Sequence, residues 1–229
     1  MIPAPLEKPQ FVRSMFASIA HRYDLANHLL SGGLDYFWRK RTARIVRGWG
    51  SRLILDLATG SGDIALELAA ACPLSTVIGA DFCHAMLSVA KRKGAADLVT
   101  ADALQLPFDD AAFDAITVAF GLRNMEPLSA ALREMARVLR PGGHLLVLDF
   151  SVPSPPLRWI YRPYLHAILP RIASLLTGQK GAYDYLADSI EAFPRGSAMC
   201  TLIGEAGFSQ TACEPLSGGI VSLYTATRL

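Results

Sequence analysis

The chain has 229 residues, of which 52% are hydrophobic and 18% are charged, so a disordered chain is excluded and one globular domain is expected. The formal net charge of +2 is too small to indicate a nucleic-acid partner. No apolar run approaches the roughly 20 residues of a membrane span, and MIPAPLEKPQ lacks the apolar core of a signal peptide. The four cysteines form no metal-binding spacing, so we expect a reduced, metal-free, cytoplasmic protein.

The first 50 residues predict helices. Residues 1–10 are rich in proline and predict a loose arm, whereas apolar residues recur every three or four positions over 11–30. A Ser-Gly-Gly sequence at 31–33 interrupts this pattern, and a second helix is expected at about 35–46. We therefore predict a helical N-terminal cap over residues 1–50.

After residue 50, short apolar segments alternate with helical ones. The apolar segments predict strands at 53–57, 75–81, 97–102, 113–120 and 144–150. The segments between them predict helices at 63–71, 83–93 and 127–139. Such alternation is typical of a mostly parallel sheet with helices on both faces.

The C-terminal third departs from this alternation. Residues 153–195 contain several prolines and helical segments rich in aromatic residues and leucine, which predicts a helical insertion. Two closing strands, at 210–216 and 220–228, are joined by a short Ser-Gly-Gly link and must pair antiparallel. The expected fold is α/β, doubly wound and Rossmann-like, with a seven-stranded, mostly parallel sheet, an antiparallel last strand and a single domain over 1–229.

A glycine-rich turn follows the first predicted strand. Gly60, Ser61 and Gly62 stand where the backbone must turn sharply and where the next helix offers unpaired N–H groups. Gly60, Gly62 and Ala65 satisfy the dinucleotide pattern G-x-G-x-x-A, and Asp81 follows Gly62 by 19 residues. A nicotinamide or flavin site is one interpretation of this pattern, and a purely structural turn is another.

Acidic residues near the turn favour a ligand without phosphate groups. Asp56 lies within the end of the first strand, Asp102 ends the third and is followed by Ala103, and no Lys or Arg occurs from Asp56 to Ala90. S-adenosylmethionine carries an amine, ribose hydroxyls and adenine but no phosphate. We predict that Asp81 binds the ribose hydroxyls and that Asp102 and Ala103 contact the adenine edge.

Four further motifs make the sequence recognisable: RYDLANHLLS at 22–31, ILDLATGSGD at 54–63, FGLRNM at 120–125 and RPGG at 140–143. With them the chain resembles the ubiquinone and menaquinone biosynthesis C-methyltransferases, which are class I S-adenosylmethionine-dependent enzymes. The resemblance covers about residues 11–228. The chain departs from the family pattern at Ala119, where the family has Ser, and at Gly32, where it has Phe.

The resemblance implies methyl transfer to a ring carbon of a prenylated quinol, either demethylmenaquinol or the 2-polyprenyl-6-methoxy-benzoquinol of ubiquinone synthesis. It places Arg123, Asn124 and Tyr23 in the catalytic site, where Arg123 stabilises the quinolate oxygen because Arg stays charged. Asp24 or His21 is a candidate proton acceptor. The cofactor-binding residues that it implies are Asp56, Thr59, Gly60, Gly62, Asp81, Phe82, Asp102 and Ala103.

Structural alternatives stay open for these catalytic candidates. The alternatives are that Arg123 forms a structural ion pair with a residue such as Glu126, that Tyr23 packs on a helix face, and that His21 lies at the surface. For the whole chain, a Rossmann-type NAD or flavin oxidoreductase and a cofactor-binding module without activity remain alternatives.

Two segments bear on the lipid substrate that the resemblance implies. Residues 37–52 carry six basic side chains and no acid, which indicates either a solvated helix face or contact with anionic headgroups: Arg39, Lys40, Arg41, Arg44, Arg47 and Arg52. The apolar stretch 157–176 is either core or a lid and tunnel for the prenyl tail. Peripheral contact with the inner membrane face, a homodimer and the prenyl length are left open.

Overall fold

A computed structural model of the chain describes residues 8–20, 24, 28, 31–169, 171 and 180–229. Its strands are β1 (Leu53–Leu57), β2 (Thr76–Asp81), β3 (Asp97–Thr100), β4 (Phe113–Ala119), β5 (Leu139–Phe150), β6 (Phe208–Leu216) and β7 (Val221–Arg228). The α-helices among the described residues are α1 (Lys8–Ile19), α2 (Leu34–Trp49), α3 (Asp63–Ala71), α4 (His84–Arg92), α5 (Leu128–Val138), α6 (Leu157–Pro163), α7 (Lys180–Ala192) and α8 (Ser197–Glu205).

The seven strands form one sheet in the order β3-β2-β1-β4-β5-β7-β6. Strands β1 to β5 pair in parallel, whereas β7 is antiparallel to both of its neighbours. The short link at Ser217–Gly219 requires this reversal, because a parallel pair needs a long crossover. The predicted seven-stranded, mostly parallel sheet with an antiparallel last strand is confirmed.

The strand order places a topological switch beside β1. The chain builds β2 and β3 on one side of β1 and then returns to place β4 on the other side. The helices that follow β1 and β4 lie on opposite faces of the sheet, which leaves a crevice at its carboxyl edge, where such folds bind ligands.

Successive residues of the central strands belong to cores on opposite faces of the sheet. Leu55 and Leu57 of β1 pack with α5 and α8, whereas Ile54 packs with α2 and α3. Each of these strands therefore needs apolar residues at nearly every position, because both of its faces are covered.

The helical insertion forms a smaller core of its own. Buried residues of α6, of the π-helical turn Tyr164–Ile168 that follows it, and of α7 pack on one another and against Phe150 and Ile220. None of the described helices is both long and apolar enough to cross a bilayer.

Two local predictions are corrected. Residues 8–10 are helical and belong to α1 rather than to the predicted loose arm, because a proline such as Pro9 is tolerated near a helix N-terminus. Residues 1–7 of that arm lie outside the described residues. Helix α2 extends beyond its predicted bounds at both ends and stops at Gly50, which has a φ of 65°.

Candidate functional site

The connections after β1 and β4 touch each other at the switch point. A Cβ added at Gly121, just after β4, would lie 2.4 Å from the Cβ of Ala58, just after β1. Both connections are tightly bent, since Ala58 and Phe120 adopt left-handed φ values of 55° and 58°. Only glycine at position 121 allows this approach, which holds the two connections together at the base of the crevice.

The predicted glycine-rich turn lies immediately before α3. Gly62 precedes α3 with a φ of 82°, and a Cβ there would lie 2.8 Å from the Cβ of Ala90 in α4. Glycine is therefore needed both for the backbone conformation and for the packing of two helices. Gly60 also has a positive φ, of 55°, and borders the crevice.

Asp56 lies buried beneath this turn. One of its carboxylate oxygens accepts a hydrogen bond from Thr59 Oγ1 at 2.6 Å, and the other accepts one from Thr117 Oγ1 at 2.7 Å. Burial raises the pKa of Asp56 to about 6, although the two threonine hydrogen bonds oppose the shift. Asp56 therefore ties the turn to β4 and also borders the larger of the two cavities described below.

Asp81, at the end of β2, holds the turn from the other side. Its carboxylate accepts hydrogen bonds of 2.8 Å from the backbone N–H of Gly60 and of Cys83. Burial raises the pKa of this carboxyl group, and the backbone hydrogen bonds oppose the shift. Asp81 is part of the buried interior, because only 6% of the residue is exposed.

Two adjoining cavities meet at these connections. The smaller, of about 120 Å³, is lined by five predicted cofactor residues: Gly60, Asp81, Phe82, Asp102 and Ala103. The larger, of about 840 Å³, reaches Asp56, Thr59, Gly60, Arg123 and Asn124. Phe120 and Asn124 border both cavities, so a ligand in one lies next to a ligand in the other.

Arg123 lies in the larger cavity and is held by a buried ion pair. Its Nη1 lies 2.6 Å from Asp149 Oδ1 and also donates to the carbonyl oxygen of Phe120. The partner is Asp149 of β5 rather than the Glu126 suggested by the sequence. Arg123 Nε is buried and has no hydrogen-bond partner among the described residues.

Asn124 stands beside Arg123 and contacts the helical insertion. Its Oδ1 accepts a hydrogen bond of 3.0 Å from the phenol of Tyr185, in α7. Sequence reasoning did not single out Tyr185 or Asp149. The only sequence signal for Asp149 is an acid at the end of an otherwise apolar strand.

The remaining candidates of the N-terminal cap are placed differently. Tyr23 and His21 lie outside the described residues. Asp24 accepts a hydrogen bond of 2.5 Å from Ser61 Oγ and pairs with Lys93 at 2.8 Å. Asp24 is not among the lining residues of either cavity, so its visible contacts tie the cap to the glycine-rich turn.

A series of ion pairs runs from Lys93 to Arg39 at the edge of the larger cavity. Lys93 also pairs with Asp63, whose other oxygen lies 2.6 Å from Arg39 Nη1. Arg39 pairs in turn with the buried Asp35 of its own helix. Within the described ranges, no group of three or more His, Cys, Asp or Glu side chains could hold a metal ion.

Comparison with known proteins decides the family. The model of the ubiE/COQ5 methyltransferase family matches residues 6–228. The chain belongs to this family. The methyltransferase is 46% identical to the demethylmenaquinone methyltransferase of Thermus thermophilus over 222 residues, covering 93% of this chain and 100% of that protein. It is 44% identical to the demethylmenaquinone methyltransferase of Mycolicibacterium gilvum, with 98% of each chain covered.

A solved structure agrees with the fold of this methyltransferase. Human N-acetylserotonin methyltransferase in complex with S-adenosylmethionine superposes with a TM-score of 0.62 at 17% identity, covering 93% of this chain and 59% of that one. The predicted family is confirmed, and with it a methyltransferase rather than an oxidoreductase.

Proposed function

We propose that the chain transfers a methyl group from S-adenosylmethionine to a ring carbon of demethylmenaquinol. The observation that carries this proposal is the pair of adjoining cavities: the smaller is lined by Asp81 and Asp102, and the larger is mostly apolar but carries Asp56, Arg123 and Asn124. Membership of the ubiE/COQ5 family and the 46% identity to a demethylmenaquinone methyltransferase support the same reaction.

The smaller cavity, together with the adjoining part of the larger one beside Asp56, Thr59 and Gly60, suits S-adenosylmethionine. Asp81 and Asp102 can accept hydrogen bonds from hydroxyl and amino groups, and Phe82 offers an apolar face beside them. No Lys or Arg stands among the described residues that line the smaller cavity, which disfavours a pyrophosphate. When bound, S-adenosylmethionine supplies an electrophilic methyl group on a sulfonium sulfur.

The larger cavity suits a prenylated quinol in its reduced form. Loss of a proton from a ring hydroxyl raises electron density on the neighbouring ring carbon, so the site must stabilise an oxyanion. We assign this task to Arg123 and Asn124. The guanidinium is fixed by Asp149 and presents a planar set of N–H donors.

The helical insertion provides the apolar walls of the larger cavity. Leu165, Leu169 and Ile190 are buried in the insertion's own core and border the cavity. We propose that this insertion, residues 153–195, acts as a lid for the prenyl tail and that residues 1–50 cap the site. Such walls exclude water and strengthen the interaction of Arg123 with an oxyanion.

Ligand binding and turnover test this function separately. S-adenosylhomocysteine at 100 times its dissociation constant should raise the free energy of unfolding by about 2.7 kcal/mol, and NAD should leave it unchanged. With S-adenosylmethionine, chemically reduced demethylmenaquinone should gain one methyl group, whereas the oxidised quinone should not. Stabilisation by NAD alone, or methylation of the oxidised form alone, would contradict the proposal. The benzoquinol of ubiquinone synthesis is assayed in parallel as the second candidate substrate.

We also propose that the enzyme takes its substrate from a membrane surface. Leu34, Ile160 and Ile168 line the larger cavity and are exposed, so the cavity opens among apolar side chains. Trp159, beside Ile160, is 71% exposed. A lipid surface would cover such apolar side chains at the entrance that a lipid tail must use.

Basic side chains support an anionic surface as the partner. Arg39 and Arg41 of the basic stretch are engaged with Asp63 and Glu214, whereas Lys40, Arg44 and Arg47 lie exposed along α2. Each basic side chain near an anionic surface contributes roughly 1 kcal/mol.

Cosedimentation with vesicles tests this surface. Wild type should bind phosphatidylglycerol-containing vesicles more than phosphatidylcholine vesicles, and Trp159→Ser with Ile160→Ser should reduce binding at least tenfold. Leu74→Ser is the matched control, because Leu74 is 95% exposed and lines neither cavity. Equal binding of both variants would exclude the surface. Sedimentation velocity in the absence of vesicles shows whether the chain forms the homodimer that the sequence leaves open.

A further inference from the structure

Tyr185 of the helical insertion contacts the polar end of the larger cavity. Tyr185 is 3% exposed and lines the cavity. Its phenol donates a hydrogen bond of 3.0 Å to Asn124 Oδ1. The two residues are 61 positions apart in the chain. The contact therefore depends on α7 being packed against the connection that follows β4.

We propose that Tyr185 is a positioning residue that fixes the Asn124 amide so that its NH₂ group, not its carbonyl oxygen, faces the quinol oxygen. This inference rests on the proposed function. The Asn124 amide oxygen has two lone pairs, and the hydrogen bond from the phenol uses one of them and holds the oxygen toward Tyr185. The NH₂ group then lies on the other side of the amide, and we assign this side to the substrate.

This orientation of the amide makes Asn124 a hydrogen-bond donor to the substrate and excludes it as the proton acceptor. An amide that presents N–H groups stabilises an oxyanion, as Arg123 does, and cannot accept the proton of a quinol hydroxyl. Asn124 and Arg123 then form two donors toward the same developing charge. The quinol proton must leave to another acceptor, such as water.

The protonation state of the Tyr185 phenol agrees with its role as a hydrogen-bond donor. Burial raises the pKa of Tyr185 to about 12, so the phenol keeps its proton at neutral pH and donates to Asn124. The nearby Arg123 charge lowers the pKa but does not outweigh burial.

Mutant kinetics separate positioning from simple packing. Tyr185→Phe should lower kcat about tenfold with little change in KM, because a free amide can turn its carbonyl toward the substrate. In an Asn124→Ala background, Tyr185→Phe should lower kcat no further. Wild-type kcat in Tyr185→Phe, or losses that multiply in the double variant, would overturn the proposal. Tyr224→Phe is the matched control, because Tyr224 is buried, accepts a hydrogen bond from Gly196 N–H and lines neither cavity.

Asn124→Asp tests the direction of the amide. A carboxylate there accepts the Tyr185 hydrogen bond but places negative charge beside the developing oxyanion, so kcat should fall below that of Asn124→Ala. Activity in Asn124→Asp at or above that of Asn124→Ala would mean that position 124 accepts a proton or hydrogen bond from the substrate.

A spectroscopic readout keeps the inference separate from the proposed reaction. The side-chain ¹⁵N–¹H signals of Asn124, assigned by their loss in Asn124→Asp, should shift in Tyr185→Phe and stay in place in Tyr224→Phe. Unshifted signals in Tyr185→Phe would overturn the inference even if the quinol is methylated. A wild type with the expected shifts that fails to methylate any quinol would instead contradict the proposed function.

Discussion

Nη1 of Arg123 lies 2.6 Å from Oδ1 of Asp149, and the two side chains are 5% and 0% exposed. Asp149 also accepts hydrogen bonds from the backbone N–H of Arg123 and of Phe150. The pair joins the end of β5 to the connection after β4 and fixes the guanidinium at the cavity. Arg123 is thus a structural residue and a candidate for catalysis at once.

Removing the negative partner should destabilise the protein strongly. Asp149→Asn leaves a buried guanidinium without its counter-charge, and we expect a loss of about 3–5 kcal/mol in the free energy of unfolding. Urea unfolding measures this loss. Asp110→Asn is the control, because Asp110 is 77% exposed in its pair with Arg137 and should cost under about 1 kcal/mol. Equal losses in the two variants would mean that the Arg123–Asp149 pair is no stronger than a surface pair.

Arg123→Lys separates the two roles of Arg123. Lysine keeps the charge beside Asp149 but cannot copy the planar guanidinium, so kcat per folded molecule should fall about 10²–10³-fold. The affinity for S-adenosylhomocysteine should change little. An early melting temperature with normal turnover per folded molecule would show that Arg123 supports the fold and does not stabilise the quinolate.

Asp81→Asn tests the cofactor site. The substitution keeps the size of the side chain but weakens its hydrogen bonds to the Gly60 N–H and to a ribose, so S-adenosylhomocysteine affinity should fall by about 1.5–3 kcal/mol. Calorimetric titration measures the affinity. Asp109→Asn, at an exposed position outside both cavities, is the control. Wild-type affinity in Asp81→Asn would place the ribose elsewhere.

Gly121→Ala should force the two crevice connections apart. The added methyl would lie 2.4 Å from the Cβ of Ala58, so both stability and S-adenosylhomocysteine affinity should drop, with stability falling by about 1–3 kcal/mol. Gly48→Ala, in α2 with no atom within 4 Å of the new Cβ, should instead stabilise the protein by about 0.4–1 kcal/mol. Thermal unfolding distinguishes the two directions, and a stabilised Gly121→Ala would contradict the contact.

The free energy of unfolding should depend on pH through the titration of Asp56. Because burial raises its pKa to about 6, above the unfolded value of about 3.9, folding favours the protonated form. Its contribution to stability is complete below about pH 4 and is lost as the pH rises through about 6. The stability of Asp56→Asn relative to wild type should therefore increase by up to about 3 kcal/mol over this interval and then level off. A difference that stays constant with pH would mean that Asp56 titrates normally.

The candidate cofactor residues can be predicted from the sequence where their role follows from their position relative to a strand. The sequence predicts the turn at Gly60 and Gly62, the acid at Asp81 and the residues Asp102 and Ala103, because each lies at or just after the end of a predicted strand. Parallel strands bring such positions to one edge of the sheet, where Gly60, Asp81, Asp102 and Ala103 line one cavity, whereas Gly62 packs against Ala90 and lines neither cavity.

The sequence was insufficient where partners meet only in the folded chain. Glu126 was the suggested partner of Arg123 because it is near in sequence, whereas Asp149 reaches it through the pairing of β4 with β5. Tyr185 carries no motif, and only the packing of α7 beside Asn124 gives it a role. The sequence also does not show that Asp81 accepts hydrogen bonds from the backbone N–H of Gly60 and Cys83, which make it part of the turn.

Product analysis with labelled cofactor tests the central claim most directly. The protein is incubated with ¹³C-methyl S-adenosylmethionine and reduced, short-chain demethylmenaquinone, and the product is examined by mass spectrometry and carbon NMR. We predict one added methyl group whose label appears at the chemical shift of a methyl bonded to a ring carbon. Label at the shift of a methyl ether, or no methylated product from a protein that binds S-adenosylhomocysteine, would contradict C-methylation of the quinol.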